Sequence, residues 1–232
     1  MKQFHNLIYY IIIVINIFVI LGATDTTDDI EITKSQPALY DETLFKEMYK
    51  HRRAKQLQAV KAFQRLKSYE KQYEMVEILS KDIFSMLEMG RTQLESSGYI
   101  PGVSSFPNDE ETKIALALVL ENTALFGEIV LRLPDIAVRI MRLHRDWTLI
   151  YQWCLTFLHE DHYLIDKATL KLMDLVQQEL NYTTRKPDYH NPYRVISKNH
   201  VKYSSQVNNN GSAMKKERKK FHKGPILSRV EL

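Results

Sequence analysis

The pattern of apolar and charged positions predicts helices along most of this chain. Between residues 41 and 96, apolar side chains recur at steps of three and four, the spacing of one face of an amphipathic α-helix. This stripe consists of Leu66, Tyr69, Tyr73, Val76, Leu79, Ile83, Leu87 and Leu94. A single helix here would span about 80 Å, so we expect one long helix or a pair bent near the basic residues 50–55.

A second apolar segment predicts a buried central helix. Residues 96–109 concentrate Gly, Pro and Ser, which is typical of a loop, and Asn108 stands three positions before Glu111 as a capping pair. The chain is then apolar on nearly every side over residues 114–133. We expect the polar interruptions to face a groove or to cap neighbouring helices; they are Glu121, Asn122 and Glu128.

Three shorter helices are predicted after the central one. Pro134 can end one helix and begin the next, and Asp146 and Asp166 are suitable N-caps for the last two. Seven Gly and seven Pro leave few interruptions, and no run of alternating β-branched residues suggests strands. The predicted fold class is all-α, a helical bundle over residues 41–180 with a long amphipathic N-terminal helix or bent helix pair.

Beyond residue 180 the helical periodicity stops. Residues 181–232 hold twelve Lys or Arg and three Asp or Glu, whereas residues 1–180 carry a net charge of −5. This composition predicts a largely disordered basic tail, of which residues 189–196 are expected to dock on the bundle through their aromatic side chains. The basic run at residues 215–220 is interpreted as a flexible spacer, with acidic partners as the alternative.

The N-terminus has the features of a secretory signal peptide. Lys2 precedes an apolar run at residues 7–21, and small residues follow it. We predict cleavage between Ala23 and Thr24, which makes residues 1–23 the signal peptide and residues 24–40 a flexible acidic segment. An uncleaved anchor is the alternative. Contact with the membrane is expected only through the signal peptide during translocation.

The C-terminus resembles an address for retrieval to the endoplasmic reticulum. Arg229, Val230, Glu231 and Leu232 match a signal of the Lys-Asp-Glu-Leu kind except at Val230. Together with the entry signal, this ending predicts the lumen of the endoplasmic reticulum, with partial secretion. The expected partners are proteins, including the retrieval receptor, and nucleic acid is not expected because a lumenal chain does not normally meet it.

The side-chain chemistry points to glycosylation and away from catalysis. The sequons at Asn181 and Asn210 are predicted glycosylation sites in a secreted chain. Cys154 is expected to be a buried apolar residue, and the segment from His159 to His162 a solvated turn because no third metal ligand is evident. No phosphate-binding loop or nucleophile elbow occurs, so we expect no enzyme and no cofactor.

The sequence resembles the coiled-coil domain-containing protein 134 family. The resemblance is carried chiefly by residues 106–134, from "FPNDEE" to "ENTALFGEIVLRLP". Further matches are Trp147, Trp153, Gln178-Glu179-Leu180, Asn191-Pro192 and Lys223-Gly-Pro-x-x-Ser-Arg-x-Glu-Leu232. Residues 139–170 match less well.

The resemblance implies a small helical protein of the secretory route that dampens the ERK and JNK kinase pathways. It also implies involvement in the maturation of endoplasmin, the lumenal heat-shock chaperone, at the translocon. The favoured hypothesis is a non-enzymatic lumenal adaptor that binds chaperone or translocon components. The alternatives are a secreted ligand acting at a cell-surface receptor and a nuclear adaptor, and the oligomeric state stays open.

Overall fold

The computed structural model describes residues 37–194 of this protein. Within this range the chain forms six α-helices and one short 3-10 helix, and no strand. The helices are α1 (Pro37–Gln64), α2 (Tyr69–Ser96), α3 (Glu110–Arg132), α4 (Pro134–Leu143), α5 (Arg145–Glu160) and α6 (Lys167–Glu179), with the 3-10 turn His162–Leu164 before α6. The all-α prediction is confirmed.

The long N-terminal segment is a pair of helices, and the break lies later than predicted. Residues 50–55 lie within α1, and the chain leaves the helix only after Gln64. Ser68 starts α2, because its hydroxyl oxygen accepts a hydrogen bond from the Lys71 amide at 3.3 Å. The Gln72 amide group donates to the carbonyls of Phe63, Gln64 and Leu66, which satisfies the end of α1 from the next helix.

Helix α3 is the centre of the bundle, as predicted. Every residue from Ala115 to Leu131 is buried. Among the described residues, α3 is also the one helix long and apolar enough to cross a membrane, and 89% of its most apolar window lies inside the bundle. The other helices cover it, so its all-round apolar surface belongs to a protein core.

The helix caps correct two sequence predictions. Asp109 caps α3 by accepting from the Thr112 amide at 2.8 Å, so the predicted cap at Asn108 is one residue too early. Asp146 lies in the first turn of α5, whose N-cap residue His144 makes no side-chain capping bond. Asp166 caps α6 as predicted, with 2.8 Å to the Thr169 amide. Pro134 begins α4 as predicted.

Polar contacts along α3 establish how α1 and α2 run beside it. Lys113 pairs with Asp41, Glu121 with Arg52, and Arg132 approaches Gln64, as shown by the distances 2.8, 2.8 and 3.5 Å. Residue numbers rise together in both helices, so α1 lies parallel to α3. In contrast, Gln93 near the end of α2 contacts Glu111 at the start of α3, so α2 is antiparallel to α3.

Aromatic side chains join α2, α3 and α5 in the core. Phe84 stacks on Trp147, with ring centroids 4.5 Å apart, and meets Phe126 edge to face at 5.0 Å. The hydroxyl of Tyr151 donates to the Thr123 carbonyl of α3 at 3.1 Å. These contacts place the N-terminal half of α5 against the middle of the bundle.

Residues 181–194, which we call the strap, pack back onto the helices. Arg185 donates to the carbonyls of Gln178 and Glu179 at the end of α6. The buried Asn191 donates from its side-chain amide to the Leu131 carbonyl of α3 at 2.8 Å. The predicted disordered tail therefore begins too early at residue 181, whereas docking through residues 189–194 is observed. The rest of the tail lies outside the described residues.

Candidate functional site

Of the predicted cleavage, glycosylation and retrieval sites, the sequon at Asn181 lies within the residues that the structure describes. The cleavage pair Ala23 and Thr24, the sequon at Asn210 and the address at residues 229–232 lie outside the described range. The predictions for these residues stay predictions.

Asn181 occupies a specialised position just after α6. Its backbone has a positive φ of 57°, a conformation that Asn tolerates better than most residues. The Asn181 amide donates to Gln178 and the Tyr182 amide to Gln177, the paired hydrogen bonds of a Schellman cap. Asn181 and Thr183 are both exposed, so the sequon is accessible on the folded surface.

The polar residues of the central helix are ion-pair partners inside the bundle. Glu121 pairs with Arg52 at 2.8 Å and Glu128 with Arg53 at 3.2 Å, so they face the basic segment of α1. Burial raises the pKa of Glu121, and the Arg52 guanidinium opposes this shift. Asn122 donates to the Leu118 carbonyl of its own helix at 2.9 Å. Residues 50–55 thus bind α1 to the core instead of bending it.

The segment His159 to His162 is only partly the solvated turn that the sequence predicted. Asp161 is fully buried and accepts hydrogen bonds from the Gly102 amide at 2.7 Å and the Tyr99 hydroxyl at 3.0 Å. It therefore fastens the loop after α2 to the end of α5. The two histidines are exposed, and no group of three His, Cys, Asp or Glu in the described part could hold a metal ion.

Cys154 is a buried residue of the core, as predicted. Its side chain has no exposed surface, and burial raises the pKa of its thiol to about 12. The thiol thus stays protonated at neutral pH, which makes it a poor nucleophile.

An open groove lies between α5 and α6. Its volume is about 750 Å³. Leu155, Leu158, Leu170 and Met173 contribute apolar surface, and polar side chains contribute the rest. Burial raises the pKa of Tyr182, which also lines the groove. The groove offers space for a ligand.

A second exposed feature is the corner where α4 meets α5, which we call the corner patch. Leu143 and Leu149 are 65% and 68% exposed. Arg142 and Arg145 are also exposed, and neither makes an ion pair within residues 37–194. Apolar side chains beside free guanidinium groups suit a protein partner that presents apolar and acidic residues.

The corner patch rests on a rigid support. His144, between the two helices, stacks on Trp147 with ring centroids 3.9 Å apart, and Trp147 stacks in turn on Phe84. Arg139, one turn before, lies over the ring of Tyr73 at 5.7 Å. Side chains on fixed elements lose little conformational freedom when a partner binds, which favours recognition.

Sequence reasoning missed the corner patch and the role of Asp161. A signal was present for Leu149, which lies off the apolar stripe of α5, but not for Leu143, which follows Ile136 and Ile140 on the apolar stripe of α4. Nothing in the local sequence could indicate that Asp161 lies beside Tyr99 and Gly102, which are about sixty positions away.

Comparisons with known proteins agree with the resemblance noted in the sequence. Coiled-coil domain-containing protein 134 of Mus musculus is 30% identical over 212 residues, covering 87% of this chain and 91% of the relative. The protein of the same name from Xenopus tropicalis is 29% identical over 195 residues, covering 80% and 83%. No solved structure matches the chain. A family model described as "ERK and JNK pathways, inhibitor" matches residues 31–228, and the chain therefore belongs to this family.

Proposed function

We propose that this protein regulates ERK and JNK signalling as a non-enzymatic adaptor that binds another protein at the corner patch. Membership of the inhibitor family supports a regulator of these pathways. The observation that carries the adaptor mechanism is the exposure of Leu143 and Leu149 beside Arg142 and Arg145. Burial of these two leucines against a partner would remove apolar surface from water and stabilise a complex.

The proposed location is the lumen of the endoplasmic reticulum, with partial secretion. The N-terminal apolar run and the ending Arg229 to Leu232 support it. A lumenal protein does not meet cytosolic kinases, so the effect on ERK and JNK is indirect, through maturation of a client or receptor. The family resemblance supports endoplasmin as part of this route.

The adaptor mechanism is tested with a surface variant that leaves the fold intact. Leu143→Ser combined with Leu149→Ser removes the exposed apolar groups, and Val103→Ser, at a residue 78% exposed in the loop after α2, is the matched control. Proximity labelling in the lumen, with ERK and JNK phosphorylation as the second readout, compares the two. We expect the double variant to lose labelled partners and the signalling effect, while the control keeps both.

Thermal unfolding checks that both variants fold. Substitutions at exposed positions change the free energy of unfolding by about 0.5 kcal/mol or less, so both variants should unfold close to the wild-type temperature. A folded double variant that still labels the same partners and still lowers ERK and JNK phosphorylation would remove the corner patch from the mechanism.

The secreted-ligand alternative draws on Val230, which departs from the retrieval signal. Adding purified protein to the medium of cells distinguishes the secreted ligand from the lumenal adaptor. A ligand at a cell-surface receptor lowers ERK phosphorylation when purified protein is added outside cells. A lumenal adaptor acts only when it is expressed inside them.

A further inference from the structure

A second cleft, separate from the corner patch, opens between α1, α3, α6 and the strap. Its volume is about 450 Å³. The charged residues that line it are Arg53, Glu128, Arg132, Asp166 and Lys171. We call it the arginine cleft.

The arginine cleft contains more positive than negative charge. The two oxygens of Glu128 are divided between Arg53 at 3.2 Å and Arg132 at 3.0 Å, so one carboxylate serves two guanidinium groups. Asp166 uses both its oxygens on Thr169, as its cap of α6. Exposed Lys171 at the rim makes no ion pair within the described residues and adds a further cation.

The other hydrogen-bond and ring partners of the two arginines are neutral, although Arg53 also has an electrostatic interaction with Glu121, whose carboxylate pairs with Arg52. Arg53 donates to Gln56 at 3.0 Å, and its buried Nε atom has no hydrogen-bond partner. Arg132 approaches Gln64 at 3.5 Å and lies 4.0 Å from the ring centroid of Tyr193 in the strap. Both arginine side chains are more than nine-tenths buried. Two buried guanidinium groups that share one carboxylate leave an excess of positive charge, and an anion in the cleft would offset it.

We propose that the arginine cleft binds the C-terminal carboxylate of a partner polypeptide whose last residue is apolar. The buried guanidinium group of Arg132 and the exposed ammonium group of Lys171 both line the cleft, and both are suited to a carboxylate. Leu57, Leu172 and Leu175 line the same cleft and provide apolar surface beside the cations. The cleft therefore matches a ligand in which a carboxylate and an apolar side chain stand on neighbouring atoms.

N-acetyl-leucine is the probe for this site, and N-acetyl-leucinamide is its match without the charge. Isothermal titration calorimetry on the full chain should show saturable binding of N-acetyl-leucine and no binding of N-acetyl-leucinamide. Lys171→Gln should weaken the binding about tenfold, the loss of one charge-assisted contact. Lys167→Gln, an exposed lysine one turn earlier on α6 that does not line the cleft, should leave it unchanged.

A second variant tests the buried side of the site. Arg132→Lys keeps the positive charge but removes the planar fork, and it should weaken binding of N-acetyl-leucine while thermal unfolding shows a folded protein. Three results would overturn the proposal: equal binding of acid and amide, equal weakening by Lys167→Gln and Lys171→Gln, or inorganic phosphate binding as tightly as N-acetyl-leucine. The last result would mean that the apolar wall contributes nothing.

Discussion

At Gly90, helix α2 approaches α3 so closely that no side chain fits. A Cβ atom at this position would lie 2.9 Å from Cγ2 of Val119 and 3.1 Å from the carbonyl oxygen of Ala115. The second of these atoms belongs to the backbone of the central helix, which cannot move without displacing its buried neighbours. The packing of the two helices thus depends on the absence of a methyl group.

We predict that Gly90→Ala lowers the free energy of unfolding by up to about 2 kcal/mol. Overpacking costs about 1–3 kcal/mol, and the better helix propensity of Ala offsets about 1 kcal/mol of it. Chemical denaturation of the purified protein measures the change. The double variant with Val119→Ala restores room, so its loss should be smaller than the sum of the two single losses. Simple additivity would show that the Gly90 contact with Val119 is not strained.

Asn181 is predicted to carry a glycan, and the cap geometry tells which variants test this cleanly. Gly98 has the same position after α2 as Asn181 has after α6, with φ of 72°. Asn181→Gly should therefore keep the cap, and Thr183→Ala should keep Asn181 itself, while each removes the sequon. Both should lose one glycosidase-sensitive step on a gel. Asn181→Gln adds about 1–2 kcal/mol of backbone strain and is a poorer test.

The prediction at Asn181 fails if the wild-type chain, shown to be lumenal, has the same gel mobility as Thr183→Ala before any glycosidase treatment. Equal thermal unfolding of unglycosylated wild type and Asn181→Gly is the control for the cap.

Asp161 gives a pH dependence of a defined sign. Burial raises its pKa, although hydrogen bonds from Gly102 and Tyr99 oppose the shift. The native state therefore keeps the proton to a higher pH than the unfolded chain, whose carboxyl titrates at about 3.9. The stability that this group contributes is complete below that value and is lost as pH rises through the native pKa. Relative to wild type, Asp161→Asn should gain stability as pH rises from about 3.9 through the native pKa of Asp161.

Asp109 supplies the control of opposite sign. A hydrogen bond from Thr112 lowers the pKa of Asp109, so its contribution is present above about pH 3.9 and is lost as pH falls through the native pKa. Asp109→Asn should therefore lose stability relative to wild type as pH rises from the native pKa of Asp109 to about 3.9, a range below that of Asp161. Denaturant titrations at several pH values measure both, and parallel slopes for the two variants would contradict the assignment.

On the scale of elements, the strap is part of the fold. Asn191 is buried and bonds to the last turn of α3, and Arg194 pairs with Asp135 of α4 at 3.5 Å. We predict that Asn191→Ala lowers the free energy of unfolding by about 1–3 kcal/mol, because the Leu131 carbonyl would lose its partner. The exposed neighbour His190→Ala should have little effect. Equal effects of the two in thermal unfolding would mean that the strap does not stabilise the bundle.

The periodicity of apolar residues predicted the central helix well and the first two helices less well. A helix that is buried all round, as from Ala115 to Leu131, needs apolar residues on nearly every face, and this pattern can be recognised in one short segment of sequence. The break between α1 and α2 was misplaced because Arg52 and Arg53 look solvent-exposed until Glu121 and Glu128 are placed beside them. Local sequence does not contain that pairing.

The candidate sites illustrate the same limit. The arginine cleft joins three helices and the strap, so it exists only in the folded chain. At the corner patch, Leu149 lies off the apolar stripe of α5, whereas Leu143 continues the stripe of α4, so its exposure depends on how α4 and α5 cover the bundle. In contrast, entry and retrieval signals are read as linear segments, and sequence is the right level for them.

For the whole molecule, residues 229–232 are predicted to be a weak retrieval signal. Val230 replaces a carboxylate whose charge-assisted contact is worth about 1.5–3 kcal/mol, so binding to the receptor falls by one to two decades. Deleting residues 229–232 should raise the ratio of protein in the medium to protein in the lysate, and Val230→Asp should lower it. An unchanged ratio after the deletion would mean that this ending is not an address.

The parallel packing of α1 on α3 has a consequence for the order of folding. The antiparallel α2 and α3 contact each other through residues as few as 18 positions apart. In contrast, the ion pair of Arg52 in α1 cannot form until Glu121, 69 positions later, has been made. Local contacts form first because they close shorter loops. During synthesis the part of α1 around Arg52 is therefore made first and packs late, with Tyr49, buried in the folded protein, exposed to water in the interval. A newly made chain in this state is a natural client for chaperones before it becomes a partner of anything else.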